Sequence, residues 1–399
     1  MKNILITGGG MGNKGAQSMT FICVSELKKR YPNDRLVLLT LASNNDKYNF
    51  DIQKISYPAL KSVINPVNPI KLLFKRIKKD EIKKIESLYQ NARMLIDISG
   101  YALGSNWADA TVDYYLSCFE CAKKYQVPVY VMPQSFGPFL YKKDSLIMKR
   151  IQSTMSYPAV IYARESEGFE LMTSLFKLKN IRKSCDMVLR CASADPTVIL
   201  KDKMEVCIPS ILPNSCAVIP NIRNFDNKDP NVVLNYYKVV VNKLLEIGKN
   251  DYIMHHSKED ASICEKIKKC FGDSDEVIIL KEDFDCFEYE KIVAKFDYII
   301  ASRYHSLIHA LKNGIPCIAL GWATKYAELL NLVGQNDCVL DVRDNIDDTD
   351  INSVIDVVDC SLEDRKRLIG EAIRNLQIVN LFDEIMAMEE TQHGECDMR

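Results

Sequence analysis

Short apolar runs alternate with longer stretches whose apolar positions recur at helical spacing, and they do so in both halves of the chain. The first half carries NILITG, RLVLLTL, ARMLIDIS, PVYVMPQ and AVIYARE, with helical periodicity over 14–30 and 108–125 between them. IRKSCDMVLRC reads as a last strand of this half, leaving through ASADPTVIL. VCIPSILPNS, with two prolines and little periodicity, marks a joint. The rhythm restarts with CAVIPNI, DYIMHH, EVIIL, FDYIIAS, PCIALG and CVLDV, separated by helical stretches at 230–248, 261–271, 286–296 and 305–312. A final helical region, 362–388, is placed to cross back onto the first half. Near-continuous apolar strands between amphipathic helices predict parallel sheets covered on both faces. The expected class is α/β, with two Rossmann-like doubly wound domains, 1–205 and 206–360, facing across a cleft, and C-terminal helices over 361–399.

The totals agree with that division, since 399 residues exceed one ordinary core. Lys+Arg (52) nearly cancels Asp+Glu (53), so no global field draws the chain to nucleic acid. No apolar run approaches the roughly 18 residues that span a bilayer. The N-terminus enters a strand and a turn without the features of a signal peptide, and a cytoplasmic location is expected. Fourteen cysteines stand mostly in apolar contexts, which suits buried, reduced thiols. Cys118 and Cys121 form a lone CxxC on a helical stretch and read as core; no metal is expected. NPIKLLFKRIKKDEIKKIESL sets Lys71, Lys75, Arg76, Lys78 and Lys79 among Leu72, Leu73, Phe74 and Ile77. It is either a solvated helix packed on its domain or, over 70–85, a peripheral contact with the inner membrane leaflet.

Open α/β sheets bind ligands outside the carboxyl ends of their strands. GGGMGNKGAQ follows the first strand as a glycine turn before a helix, but it matches neither GxGxxG nor GxxxxGK[ST], so a nucleotide fingerprint is absent. Asn13 and Gln17 are its polar candidates. DISGYALGSNW offers Asn106, and MPQSFGPF holds Gln134 and Ser135 in a constrained loop suited to sugar hydroxyls. In YARESEGFELM, Arg164 precedes an acidic helical turn with Glu165 and Glu167; an internal Arg–Glu pair is the structural alternative. In ASRYHSLIHALKNGIPCIAL, Ser302 is placed to cap a helix beginning near His305. His305 and His309 share a helical face, but no third ligand accompanies them. A histidine at a helix N-terminus is held neutral and can move a proton near pH 7, whereas His309 reads as core. Lys325, in WATKYAELL, follows the next strand. Arg164, Arg303 and Lys325 converging with His305 describe a site for a small, multiply charged anion.

These segments, together with CDMVL, resemble the polysaccharide pyruvyl transferase family over nearly the whole chain. Arg-x-His followed by a helix and Gly-Ile-Pro is the most specific of them. The resemblance implies the glycosyltransferase-B arrangement and transfer of pyruvate from phosphoenolpyruvate to a saccharide as a cyclic ketal, in cell-surface or capsular polysaccharide biosynthesis. It implies no cofactor beyond phosphoenolpyruvate as co-substrate. It makes Arg164, Arg303 and Lys325 donor-binding residues and His305 the general acid/base. The acceptor, free or lipid-linked, would meet Asn13, Gln17, Asn106, Gln134 and Ser135. Ala16 and Gln17 stand where many relatives have an acidic residue, and ISGYALG where many have a glycine run. Both departures fall on the acceptor side. Two other readings share the fold: a nucleotide-sugar glycosyltransferase, which would bind a nucleoside diphosphate, and a noncatalytic saccharide-binding relative, which would bind without turnover.

Overall fold

In the computed structural model every strand pairing within the two sheets is parallel. The structure describes all residues except 42–46, 66–77, 203–205, 227, 322–323, 344–345 and 397–399. The first sheet holds β1 (Asn3–Thr7), β2 (Arg35–Thr40), β3 (Asp51–Lys54), β4 (Ala92–Asp97), β5 (Tyr101–Leu103), β6 (Val129–Phe136), β7 (Val160–Ala163) and β8 (Ile181–Lys183). Its order is β3-β2-β1-β4-β6-β7-β8, with β5 beside the end of β6. The second holds β9 (Ser215–Ile219), β10 (Asn250–Met254), β11 (Val277–Leu280), β12 (Tyr298–Ala301), β13 (Cys317–Gly321) and β14 (Val339–Asp341), in the order β11-β10-β9-β12-β13-β14. Both therefore reverse direction once, between β1 and β4 and between β9 and β12. Such reversals open crevices at the carboxyl ends of the strands.

The central strands are apolar throughout because helices cover both faces; Ile4, Leu5, Ile6, Leu95, Ile96, Val218 and Ile299 are all fully buried. The helix Lys14–Arg30 starts at Asn13, whose side-chain oxygen accepts the Ala16 N–H at 2.8 Å, and ends on Lys28, Lys29 and Arg30. It lies between the two halves. Its Phe21 stacks on Phe287 at 5.1 Å, and one apolar cluster runs unbroken from the first sheet to the second. The C-terminal region is three helices, Asp348–Cys360, Leu362–Leu376 and Leu381–Cys396. The last returns to the first half. Asp383 pairs with Arg30 at 2.5 Å, Glu384 accepts from Tyr162 at 2.8 Å and Arg190 at 2.7 Å, and Glu389 accepts from Tyr31 at 2.5 Å.

Some expectations change. IRKSCDMVLRC is not one strand: β8 ends at Lys183, and Asp186 accepts the Val188 N–H at 2.9 Å to start a short helix, Met187–Arg190. The basic stretch read as either a solvated helix or a membrane contact lies, over 70–77, outside the described residues. Its described continuation, Lys79–Gln90, packs against Tyr57–Ile64 and buries Ile85, Leu88 and Tyr89. No helix among the described residues is long and apolar enough to cross a membrane. Of the cysteines whose side chains are described, all but Cys207, Cys270 and Cys360 are buried, Cys118 and Cys121 within the core of the first half.

Asp251 in β10 is fully buried, and neither carboxyl oxygen has a hydrogen-bond partner. Burial pushes its carboxyl up to about 8. An unfolded aspartate titrates near about 4, so its protonated form favours the fold at acid pH, and that contribution is lost as pH rises toward 8. Asp251→Asn cannot ionise. Its gain in thermal midpoint over the parent is expected to grow by about 2 °C or more between pH 5 and pH 8. A gain that does not change with pH would show that the carboxylate is charged in the fold.

Candidate active site

The site begins where β12 ends. Ser302 continues the strand, donating its N–H to Ile219 O at 2.9 Å. Its hydroxyl pairs with Tyr237 at 2.8 Å, and its carbonyl accepts from Asn221 and Tyr326. Ser302 therefore does not cap the next helix, as its position suggested. The helix is Tyr304–Lys312, entered through Arg303 without a side-chain cap, because the serine hydroxyl is already engaged behind it. These bonds fix the direction in which residues 303–305 leave the sheet. The Tyr304 ring then takes Arg164 over it at 4.4 Å and Lys325 at 5.3 Å.

His305 packs against the first turn of Lys14–Arg30. A Cβ on Gly15 would lie 2.3 Å from the imidazole Cγ, so only glycine admits the ring there. The His305 Nε2 stands 3.6 Å from Asp186 Oδ2, too far for a hydrogen bond, and has no hydrogen-bond partner among the described residues. Burial lowers its pKa to about 4; Arg164 and Lys325 push the same way and Asp186 opposes them. The imidazole is therefore neutral. Asp186 has no exposed surface and accepts from an Arg164 guanidinium nitrogen at 2.8 Å. Burial opposes its charge, yet His305 and Arg164 hold the carboxyl below the usual range. Arg164 also donates to Ser135 Oγ at 2.6 Å and Glu165 Oε1 at 3.2 Å.

Arg164, Glu165, Tyr304, Lys325 and Glu328 line a cavity of about 260 Å³ between the two halves. Burial, then Arg164, lower the Lys325 ammonium to about 8. Among the described residues no carboxylate pairs with it. Arg303 differs from the expected arrangement. Its guanidinium grips Asp260 through two nitrogens, at 2.8 and 2.6 Å, and Glu259 at 2.5 Å; neither it nor His305 is part of the cavity wall, and His305 stands behind that wall beside Asp186.

The acceptor candidates separate. Asn13 caps a helix, and Gln17 ties two segments: its nitrogen donates to Met11 O and its oxygen accepts the Cys286 N–H. Ser135 donates to Glu165 Oε1 at 2.5 Å as well as accepting from Arg164. Gln134 is fully buried and donates to Asp97 and Tyr115. Asn106 is exposed. His309 is core, with Nε2 at 3.3 Å from Ser18 Oγ, so the two histidines of the HxxxH pair face different partners. Asp186 and His256 were missed by sequence reasoning. His256 is buried, and its ring lies parallel to that of His305 at 6.4 Å. The histidine pair closing DYIMHH at a strand end was the available signal.

Two parallel doubly wound sheets with this site between them define a GT-B-type α/β fold. The structure is similar to a glycosyltransferase from Rickettsia africae (15% identity over 98% of both chains, TM-score 0.58). It is also similar to a putative UDP-N-acetylglucosamine 2-epimerase from Listeria monocytogenes (11% identity, 93% of this chain and 90% of that one, TM-score 0.54) and to the UDP-GlcNAc 2-epimerase of Methanocaldococcus jannaschii (12%, 89% and 92%, TM-score 0.52). At these identities the likeness is one of fold. No curated protein matches the sequence. The polysaccharide pyruvyl transferase family profile matches residues 13–324, and the chain belongs to that family.

Gly15→Ala tests the seat of His305. The alanine favours the helix but drives its methyl group into the imidazole. Transfer kcat is expected to fall at least tenfold with far-UV circular dichroism unchanged. An unaltered kcat would mean that turnover does not depend on where this ring sits.

Proposed function

We propose that this transferase uses phosphoenolpyruvate as donor and forms a cyclic pyruvate ketal on a saccharide, free or lipid-linked, for cell-surface or capsular polysaccharide. We place the reaction in the cytoplasm. The observation that carries the reading is the pair of cations, Arg164 and Lys325, set on one tyrosine ring beside a neutral histidine. A small dianion or trianion is what this arrangement lacks.

Phosphoenolpyruvate brings a carboxylate and a phosphate into the cavity, where Arg164 and Lys325 neutralise them. The incoming negative charge raises the proton affinity of His305. The imidazolium gives its proton to the methylene carbon, and the C2 centre that forms is attacked by one sugar hydroxyl. Phosphate leaves, and a second hydroxyl closes the ring. Of the two hydroxyl protons released, one restores the proton given to carbon and the other departs with phosphate, so the reaction balances without a further reactant. General acid catalysis of this kind contributes about 10²–10⁴-fold, and cations fixed where charge leaves lower the barrier further.

A ligand that binds only the folded form raises its thermal midpoint. Phosphoenolpyruvate is expected to do so and UDP is not. Arg164→Ala should abolish the shift, whereas His305→Ala should keep it while losing turnover. A shift with UDP alone would establish the nucleotide-sugar glycosyltransferase reading instead.

The pH dependence has a definite sign. Lys325 must be protonated to hold the donor, and bound negative charge raises its pKa above about 8. Donor affinity is therefore full below pH 8 and falls at higher pH, because binding must then take up a proton. Lys325→Arg stays charged, and calorimetric titration between pH 7 and pH 9.5 should show the fall in the parent and not in the variant. The same fall in both would assign it to another group.

A further inference from the structure

The carboxyl ends of β1 and β4, where the first sheet reverses, carry a second cavity of about 220 Å³. Its walls include Thr7, Asp97, Ser99, Tyr101, Thr111 and Tyr114, and among the described residues no lysine, arginine or histidine lines it. Asp97 is fully buried and gathers protons from its surroundings. Thr7 and Ser99 donate their hydroxyls to Oδ1 at 3.2 and 2.6 Å, and Gln134 donates to Oδ2 at 2.8 Å. With those hydrogens turned toward Asp97, lone pairs are what Thr7 and Ser99 have left to offer. The Tyr114 hydroxyl in the wall is buried with only the weak acceptor Cys118 beside it, and behind Asp97 the Gln134 Oε1 is buried with no hydrogen-bond partner among the described residues. Such groups in a native fold call for a partner.

Acceptors without cations suit a ligand rich in O–H donors and repel an anion. Tyr101, backed by Trp107 at 5.3 Å, adds an aromatic surface for the apolar face of a ring. The volume is below the roughly 300–1,000 Å³ of drug-sized ligand sites, so a single ring fits and a chain does not. Gln134 and Ser135 are consecutive on β6; one reaches Asp97 and the other Arg164. The cavity and the donor site are therefore joined by neighbouring residues on opposite faces of one strand.

We propose that this cavity anchors one neutral sugar ring of the acceptor, with Asp97 as a positioning residue that orients the Thr7 and Ser99 hydroxyls. The assignment of that ring to an acceptor rests on the transfer reading above.

Saturation-transfer NMR with the methyl glycosides of glucose, galactose, mannose and N-acetylglucosamine tests it, with glucose 6-phosphate as the anionic control. At least one neutral glycoside should give a signal with the parent protein, and the phosphate should give none. Thr111→Trp, at an exposed position on the cavity wall, should cut that signal at least fivefold, and Tyr114→Phe should weaken it. Both variants should keep the phosphoenolpyruvate thermal shift. Absence of any glycoside signal from the parent overturns the proposal, as does a signal that Thr111→Trp leaves intact. If the glycoside signal behaves as expected but phosphoenolpyruvate does not stabilise the parent, the sugar site stands and the donor reading fails.

Discussion

Asp186 is a carboxylate with no exposed surface, and burying a charge so completely costs several kcal/mol unless partners replace the lost water. Its hydrogen-bond partners are the Arg164 guanidinium at the end of β7 and the Val188 N–H of its own short helix, and the His305 imidazole stands 3.6 Å away across the cleft. Arg164 is thereby fixed, and with it Ser135 and Glu165, which complete its hydrogen bonds. The Tyr304 ring lies under the same guanidinium. Removing the carboxylate would leave a buried arginine short of its strongest partner, so the geometry of the cavity between the halves is inseparable from this one residue.

The electrostatics show which charges the fold has balanced and which it has not. Arg303 is gripped by Asp260 and Glu259, and its ammonium-like charge is answered within the protein. Lys325 has no such partner among the described residues, and its proton is loosened by burial and by Arg164. His305 has lost its charge for the same reasons. Lys325 and His305 are thus both held below their ordinary values, whereas Arg303 is fully paired. That contrast separates the three cations, which the sequence had grouped as equals.

The parallel sheets, their helices and the returning C-terminal helix were legible because apolar runs at strand length and helical spacing are local properties. The strand-end position of Arg164, His305 and Lys325 was legible for the same reason. What escaped were partnerships. Asp186 lay inside a run that alternates like a strand, and nothing local says that its side chain turns back to start a helix. Ser302 has the right residue type for a cap, but its hydroxyl is engaged by Tyr237 from a helix 65 residues away in sequence. Gln17 looked free on a polar turn, yet its amide completes the start of a helix in the other half. Long-range pairing decides each case.

The turn after β1 illustrates how far composition can mislead about chemistry. Its glycines, its lysine and the helix behind it have the ingredients of a phosphate loop, without the spacing. In the fold Lys14 is buried and pairs with Asp283 of the second half at 2.7 Å, Asn13 bridges to Ser257, and Gly15 receives the His305 ring. Each of these contacts reaches across the cleft. Near its mouth the halves also meet through Glu328, which accepts the Ser166 N–H at 2.9 Å, and through Thr324 and Glu167 at 3.0 Å. Exposed polar contacts are individually worth about 0–1 kcal/mol, so the apolar cluster behind them supplies most of the adhesion. The first helix thus presents its N-terminal turn to a histidine rather than to a phosphate. Its glycine is required by the approach of that ring, which is why the turn resembles a nucleotide loop and lacks its fingerprint.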